Sequence, residues 1–148
     1  MRLSAKPAGK ATLLLLDTHI WLWYAEGNAE RLTAASVTLL DQARQAEGLR
    51  ISPISVWELG VQHAAGRIQL SLPLRDWVRV ALAPVGITLV PLDAESAAES
   101  TLLPGEAHPD PASRFLIATA RTKGLVLATR DKAIIEYGNA GHVRILEL

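Results

Sequence analysis

Three aspartates stand where a strand or a loop is expected to give way to a helix. Asp17 directly follows the aliphatic segment 13–16, Asp131 closely follows the aliphatic segment 125–128, and Asp110 precedes a proline that suits a first helical turn. Ligands of open α/β sheets bind outside the carboxyl ends of the strands, so Asp17 and Asp131 are expected to face one site. The alternative for each aspartate is an N-cap that only accepts hydrogen bonds from helix amides.

Glu58 is the fourth acid, and its neighbours in the sequence are apolar. Four side chains around it recur at the helical period of about 100° per residue and predict one buried stripe. They are Ile54, Trp57, Val61 and Ala65. Glu58 falls in the middle of this stripe, where an ionised carboxylate is costly unless a cation or hydrogen-bond donors receive it. The pattern indicates a metal site, with a salt bridge to an arginine as the alternative.

Convergence of these acids would require a cation. Two carboxylates about 4 Å apart repel by roughly 4 kcal/mol at an effective dielectric constant near 20. The chain has no cysteine, and no histidine stands at metal-ligand spacing. Oxygen ligands favour Mg²⁺ or Mn²⁺ over zinc. Such an ion activates water for attack on phosphorus, so phosphodiester hydrolysis is the expected reaction class.

The elements that must position these acids alternate between short aliphatic runs and longer helical patterns. This alternation is typical of an α/β fold with a mostly parallel central sheet of about five strands. The predicted strands are 12–16, 49–52, 87–90, 125–128 and 143–146, and the predicted helices are about 18–26, 33–47, 53–65, 73–83, 93–100, 111–123 and 131–137. The strands lack polar alternation, as expected when helices cover both faces of a parallel sheet.

The composition predicts one soluble, cytoplasmic domain. The chain has 148 residues, of which 49% are hydrophobic and 20% charged, and no apolar run approaches the length that crosses a membrane. Residues 1–11 are expected to form a flexible N-terminal extension and residues 12–148 a single domain. The 15 basic and 15 acidic residues cancel, so any contact with RNA must be local.

Four segments resemble the PIN-domain ribonucleases, in particular the VapC-type toxins of bacterial toxin–antitoxin pairs. They are Leu-Leu-Leu-Leu-Asp17-Thr-His-Ile-Trp-Leu, Ile51-Ser-Pro-Ile-Ser-Val-Trp-Glu58-Leu, His108-Pro-Asp-Pro-Ala-Ser-Arg-Phe-Leu-Ile-Ala-Thr-Ala120 and Leu127-Ala-Thr-Arg-Asp131. Their order and spacing carry the resemblance, which runs from about residue 12 to the C-terminus.

The resemblance implies a three-layer α/β/α domain that cleaves single-stranded RNA with Mg²⁺ or Mn²⁺. It makes Asp17 the first metal-binding and catalytic acid, Glu58 the second and Asp131 the last. The hydroxyl of Thr129 would lie near the water on the metal, and Thr18 is a further supporting residue. Proteins of this type usually form homodimers and are silenced by an antitoxin whose tail lies across the groove.

The chain departs from the family pattern at Ser113. The pattern reads Asp-Pro-x-Asp-Arg, its second Asp commonly faces the metal, and Ser113 occupies that place. Ser113 shares a helical stripe with Leu116 and Ile117. Asp110 projects from the same face one turn earlier, so it is expected to serve as the catalytic, metal-binding acid, directly or through a water. The alternatives are a weakened enzyme, a natural variant with altered metal stoichiometry, and a deliberately introduced change.

Other residues near the acids are candidates for contacts with RNA or a partner. Arg114 and Arg130 are candidates for RNA phosphates, and solvated charge near a helix start is the alternative. His108 either assists the substrate or, as we favour, is a loop residue. Trp21 and Trp23 are about 200° apart on a helix and therefore do not face one core together. One of them is expected to meet a partner subunit or an antitoxin, and base stacking is a further alternative.

The leading hypothesis is a Mg²⁺- or Mn²⁺-dependent endoribonuclease that acts as the toxin of a type II toxin–antitoxin pair. The alternative is a catalytically impaired PIN-like module that binds RNA or protein, with Ser113 in place of the expected Asp. A metal-dependent phosphatase is a weaker hypothesis, because it requires an early Asp-x-Asp pair and His19 occupies the second position.

Overall fold

A computed structural model describes residues 2–3 and 12–148 of the chain. Within these residues the strands are β1 (Arg2–Leu3), β2 (Leu14–Leu16), β3 (Leu49–Ile51), β4 (Ile87–Leu89), β5 (Val126–Thr129) and β6 (Ile145–Glu147). The helices are α1 (Thr18–Glu26), α2 (Ala34–Gln45), α3 (Pro53–Ala64), α4 (Leu74–Leu82), α5 (Ala94–Thr101), α6 (Pro111–Lys123) and α7 (Lys132–Asn139).

Five strands form a parallel sheet, and a sixth strand runs antiparallel at its edge. The order across the sheet is β1-β6-β5-β2-β3-β4. Strands β2 to β6 are parallel, whereas β1 pairs antiparallel with β6. Strand β2 lies between β5 and β3, so the carboxyl ends of these three strands meet at one edge of the sheet. The predicted α/β/α fold with about five mostly parallel strands is confirmed.

The central strand β2 is apolar throughout because helices cover both faces of the sheet. Leu14 and Leu16 face one core and Leu15 faces the other. Helices α1, α2 and α4 close the first core, where Trp21 is fully buried. Helices α6 and α7 close the second core, where Leu116 is buried. These two layers hold the ends of β2 and β5, and with them Asp17 and Asp131, in fixed positions.

Helix α3 packs between α1 and α6, instead of lying flat on one face of the sheet. Its Leu59 belongs to the first core and its Ile54 packs against the second. Trp57 is 57% exposed and Val61 is 45% exposed. The predicted buried stripe is therefore wrong. A helix wedged between two layers buries a narrow face, which here consists of Ser55 and Leu59.

The segment at the N-terminus contributes one strand to the part of the chain that the structure describes. Arg2 pairs with Glu147 and Leu3 with Leu146, both in β6. The rest of the extension predicted over 1–11 lies outside the described residues. In residues 2–3 and 12–148, no helix combines the length and the apolar character that a membrane crossing needs.

Candidate active site

Asp17 is a buried carboxylate at the junction of β2 and α1. Only 8% of the residue is exposed. Its Oδ1 accepts a hydrogen bond from the Thr18 amide at 2.8 Å, which caps α1. Its Oδ2 accepts a hydrogen bond from the Thr129 hydroxyl at 2.7 Å, which joins it to the end of β5. One oxygen of Asp17 therefore caps α1, and the second oxygen contacts Thr129 at the end of β5.

Burial raises the pKa of Asp17 above its ordinary value. The hydrogen bonds from Thr129 and from the Thr18 amide oppose this rise in pKa, as does the nearby His19. The negative charge of Asp131 adds to the rise. A neighbouring cation would remove the disadvantage of the ionised form.

Thr129 connects the first and the last acid. Its hydroxyl is fully buried, donates to Asp17 and accepts a hydrogen bond from the Asp131 amide at 3.0 Å. Asp131 caps α7 through Oδ1, which accepts from Ala133 at 2.8 Å and from Ile134 at 3.2 Å. One hydroxyl thus fixes two carboxylates that are far apart in the sequence.

His108 is a site residue that sequence reasoning interpreted as part of a loop. Its Nδ1 accepts a hydrogen bond from the Asp110 amide at 3.0 Å. In the neutral imidazole this places the proton on Nε2, which lies 3.1 Å from Oδ2 of Asp131. His108 stands two residues before Asp110, the N-cap of α6, and this spacing could have indicated its contact with the Asp110 amide. The second contact joins residues 23 apart in sequence, and no local pattern reveals it.

Glu58 reaches the site from α3. Burial raises the pKa of its carboxyl group, and the negative charges of Asp110 and Asp17 raise it further. A hydrogen bond with the Thr18 side chain opposes this rise in pKa. None of the ion pairs within residues 12–148 includes Glu58. The alternative of a salt bridge to an arginine therefore has no support in the described part of the chain.

Asp110 and Ser113 form the start of α6. Oδ2 of Asp110 accepts hydrogen bonds from the Ser113 amide at 3.1 Å and from the Ser113 hydroxyl at 2.9 Å. Ser113 is buried on the same helix as Leu116 and Ile117, as its predicted stripe requires. An aspartate at position 113 would lie beside the Asp110 carboxylate.

The donor chemistry of these residues suits a hard divalent cation. Four carboxylates approach one edge of the sheet, and both carboxyl groups with resolved pKa changes, Asp17 and Glu58, are destabilised in their charged form. Within the described residues, no three acidic or histidine side chains are already grouped as closely as a formed metal site requires. Hydrogen bonds from Thr129, His108 and Ser113 occupy three of the aspartates instead.

The two arginines predicted to contact RNA have different surroundings. The guanidinium of Arg114 donates to the carbonyl oxygens of Ser100 at 3.0 Å and His108 at 3.4 Å. These bonds favour a structural role for Arg114, and its contact with RNA stays a prediction. Arg130 is exposed, and its Nε donates to the Leu148 carbonyl at 3.2 Å.

Comparison with known proteins identifies related sequences and folds. Residues 14–140 match the family described as PIN domain. The chain is 32% identical over 126 residues to Ribonuclease VapC22 of Mycobacterium tuberculosis, and the match covers 83% of this chain and 90% of that protein.

Solved structures of other proteins have a fold similar to that of this chain. VapBC2 from Rickettsia felis, bound to a promoter DNA fragment, has a TM-score of 0.68 at 13% identity, over 92% of this chain and 98% of that one. FitAcB from Neisseria gonorrhoeae has a TM-score of 0.63 at 18% identity, over 90% of this chain and 96% of that one. At such identities the likeness concerns the fold.

Proposed function

Because the chain belongs to the PIN domain family, we propose that it is a metal-dependent endoribonuclease that cleaves single-stranded RNA. One observation carries this proposal. Hydrogen bonds run from Asp17 through Thr129 to Asp131, and from Asp131 through His108 to the Asp110 amide. The charges of Asp110 and Asp17 raise the pKa of Glu58, which lies on α3. These contacts support a shared site of the four acids at one edge of the sheet.

The proposed ligands of Mg²⁺ or Mn²⁺ are the catalytic acids Asp17, Glu58, Asp110 and Asp131. When bound, the ion supplies positive charge that offsets the carboxylates and the phosphate oxygens, and it activates water for attack on phosphorus. An oxygen-only donor set is the set that these two ions prefer.

The residues of the chain prepare the site in the absence of substrate. Thr129 holds one oxygen of Asp17, and the cap of α1 holds the other. His108 holds the outward oxygen of Asp131, since the other oxygen caps α7. These hydrogen bonds orient the two carboxylates, as the hydrogen-bond partners of ligating carboxylates do in metal sites.

We further propose that the protein is the toxin of a type II toxin–antitoxin pair in the cytoplasm, that an antitoxin binds it and that it forms a homodimer. The named relatives support this assignment, because they are a VapC ribonuclease and VapBC or FitAB assemblies. Two surfaces suit protein partners. One is the outer face of α3 with Trp57 and Val61, and the other is a cavity of about 320 Å³ lined in part by Leu72 and Val80.

A second candidate function follows from Ser113. Its hydroxyl binds the carboxylate of Asp110, so a ligand that the family commonly supplies is replaced by a neutral group. A PIN-like module that binds RNA or protein without efficient cleavage would have this feature.

Cleavage of a fluorescent single-stranded RNA by purified protein tests the proposal. We expect cleavage with MgCl₂ or MnCl₂, none with EDTA, and a loss of at least about 100-fold in rate for Glu58→Gln, because the substitution removes a charge that a metal site requires. Glu95→Gln is the matched control, since Glu95 is exposed and lies near Lys123 at the far end of α6. Equal cleavage by wild type and Glu58→Gln would mean contamination or a different site. Binding without cleavage would favour the second candidate.

A further inference from the structure

We propose that Trp23, together with His19, Arg31 and Arg130, forms a binding site for one unpaired base and the adjoining phosphate of the RNA. We call these four residues the Trp23 site. The inference rests on the proposed function, because it names how that substrate is held beside the acids.

The aromatic ring of Trp23 is surrounded by cationic and aromatic groups. The guanidinium carbon of Arg130 lies 5.2 Å from the centre of the ring, and that of Arg31 lies 5.8 Å from it. The His19 ring is 5.7 Å away at an angle of 38°. Arginines and aromatic rings together are the combination with which proteins hold single-stranded nucleic acid, by stacking on bases and by charge on phosphates.

The Trp23 site opens directly onto the acids. A cavity of about 160 Å³ is lined by Asp17, His19, Ile20, Trp23, Arg130 and Asp131. Its walls thus include two proposed metal ligands together with the indole ring and Arg130. A nucleotide in this cavity would place its phosphate near the carboxylates while its base reached Trp23.

Trp23 packs against the first core only in part, whereas Trp21 is enclosed by it. Trp21 is fully buried, and its ring contacts Trp77 edge-on with centres 5.1 Å apart. Trp23 lies on the other side of α1 and is only half-buried. The expectation that one of these tryptophans meets a partner therefore falls on Trp23, and the neighbouring charges make nucleic acid the partner that suits it.

The charges of the Trp23 site are available to phosphate. Neither Arg31 nor Arg130 belongs to an ion pair within residues 12–148, and both are exposed. The bond from Nε of Arg130 to the Leu148 carbonyl directs this guanidinium without neutralising it. The whole chain has no net charge, so contacts of phosphates with these two arginines would supply the salt-dependent part of RNA binding locally.

Binding of labelled single-stranded RNA in the Glu58→Gln background, where cleavage is removed, tests the inference by fluorescence anisotropy. We expect Trp23→Ala to weaken binding by about 5- to 150-fold, the range found when a stacked base loses its aromatic partner, and Trp23→Phe to weaken it much less. Arg130→Gln should reduce the slope of log affinity against log salt by about one. Arg79→Gln, at an exposed position of α4, should change neither.

An RNA with a single abasic position separates stacking from a general loss of stability. For the background protein, one abasic position should weaken binding, and Trp23→Ala should then add little at that position. Thermal denaturation of each variant verifies folding, and Trp23→Phe preserves the ring if Trp23→Ala does not fold. The Trp23 site would be overturned if Trp23→Ala and Trp23→Phe bound RNA as well as the background protein does. If the unaltered protein still cleaved RNA, the proposed ribonuclease function would stand. Failure of the unaltered protein to bind or cleave any RNA would overturn both.

Discussion

Replacing Asp17 by Asn should make the metal-free protein more stable. The substitution removes a charge that burial disfavours and that Asp131 repels. Both partners can stay in place, because the amide oxygen can accept from the Thr18 amide and the amide nitrogen can donate to the Thr129 oxygen, which reverses the direction of that second hydrogen bond. Burying a polar group whose interactions with water are not replaced lowers the free energy of unfolding by about 1–3 kcal/mol. The substitution should recover about this amount. For a chain of this length, a gain of that size raises the melting temperature by roughly 3–10 °C.

The gain should depend on pH in a direction that the raised pKa of Asp17 fixes. The folded protein holds this proton more tightly than the unfolded chain does. The contribution of this proton to the stability of the wild type is therefore fully present below the ordinary pKa of 3.8 and is lost as the pH rises through the raised value. Asp17→Asn does not titrate, so the two proteins should be similar at acidic pH and diverge toward neutral pH.

Divalent metal should reverse the order of stabilities. At a free Mn²⁺ concentration of about 1,000 times its dissociation constant, the wild type should gain about 4.1 kcal/mol, which exceeds the advantage of Asp17→Asn, whereas Asp17→Asn should gain little. Thermal and urea denaturation at acidic and neutral pH, with EDTA or with MnCl₂, measures all of these quantities. Asp76→Asn, which removes an exposed charge from α4, is the control. A metal-free Asp17→Asn protein that is less stable than wild type at neutral pH would refute the reasoning, as would equal stabilisation of both by Mn²⁺.

Two further substitutions test the neighbouring residues. Ser113→Asp places a second carboxylate beside Asp110 and should lower the stability of the metal-free protein by about 2–4 kcal/mol. Mn²⁺ should stabilise this variant more than it stabilises the wild type. An equal response of both proteins to Mn²⁺ in thermal denaturation would contradict a shared site. His108→Ala removes the donor to Asp131 and should weaken Mn²⁺ binding by about 10- to 100-fold, as measured by calorimetry. His108→Gln keeps a donor and should lose less, whereas undiminished affinity in the alanine variant would show that the histidine does not position the aspartate.

The fold and the three aspartates could be predicted because their signals are local. An aliphatic run followed by an acid and a helical pattern specifies both a strand end and a helix start, as at Asp17 and Asp131. The N-cap interpretation and the site interpretation were treated as alternatives. In the structure each carboxylate caps a helix with one oxygen, and in Asp17 and Asp131 the second oxygen makes another contact. The two roles are therefore compatible.

The surroundings of Glu58 and His108 could not be predicted, because packing between distant segments determines them. The periodicity around Glu58 was real, but it does not tell which face of α3 is buried. That depends on contacts with α1 and α6. The apolar side chains of Trp57 and Val61 face outward as a result. Likewise, the bond between His108 and Asp131 exists only once the loop before α6 lies against the start of α7.

Two of the proposed site residues, Asp110 and Asp131, also cap helices, and this affects which residues a relative would keep after losing its activity. Losing an N-cap costs a helix about 0.5–2 kcal/mol, so selection for folding alone favours a capping residue at positions 110 and 131, whereas at position 17 an asparagine would also cap and would remove the buried charge. Glu58 begins no helix, and its burial among acids is a burden to an inactive fold. Among relatives of this chain, the presence of Asp110 and Asp131 is therefore a poor guide to nuclease activity, and replacement of Asp17 or Glu58 should come first in a chain that has lost it.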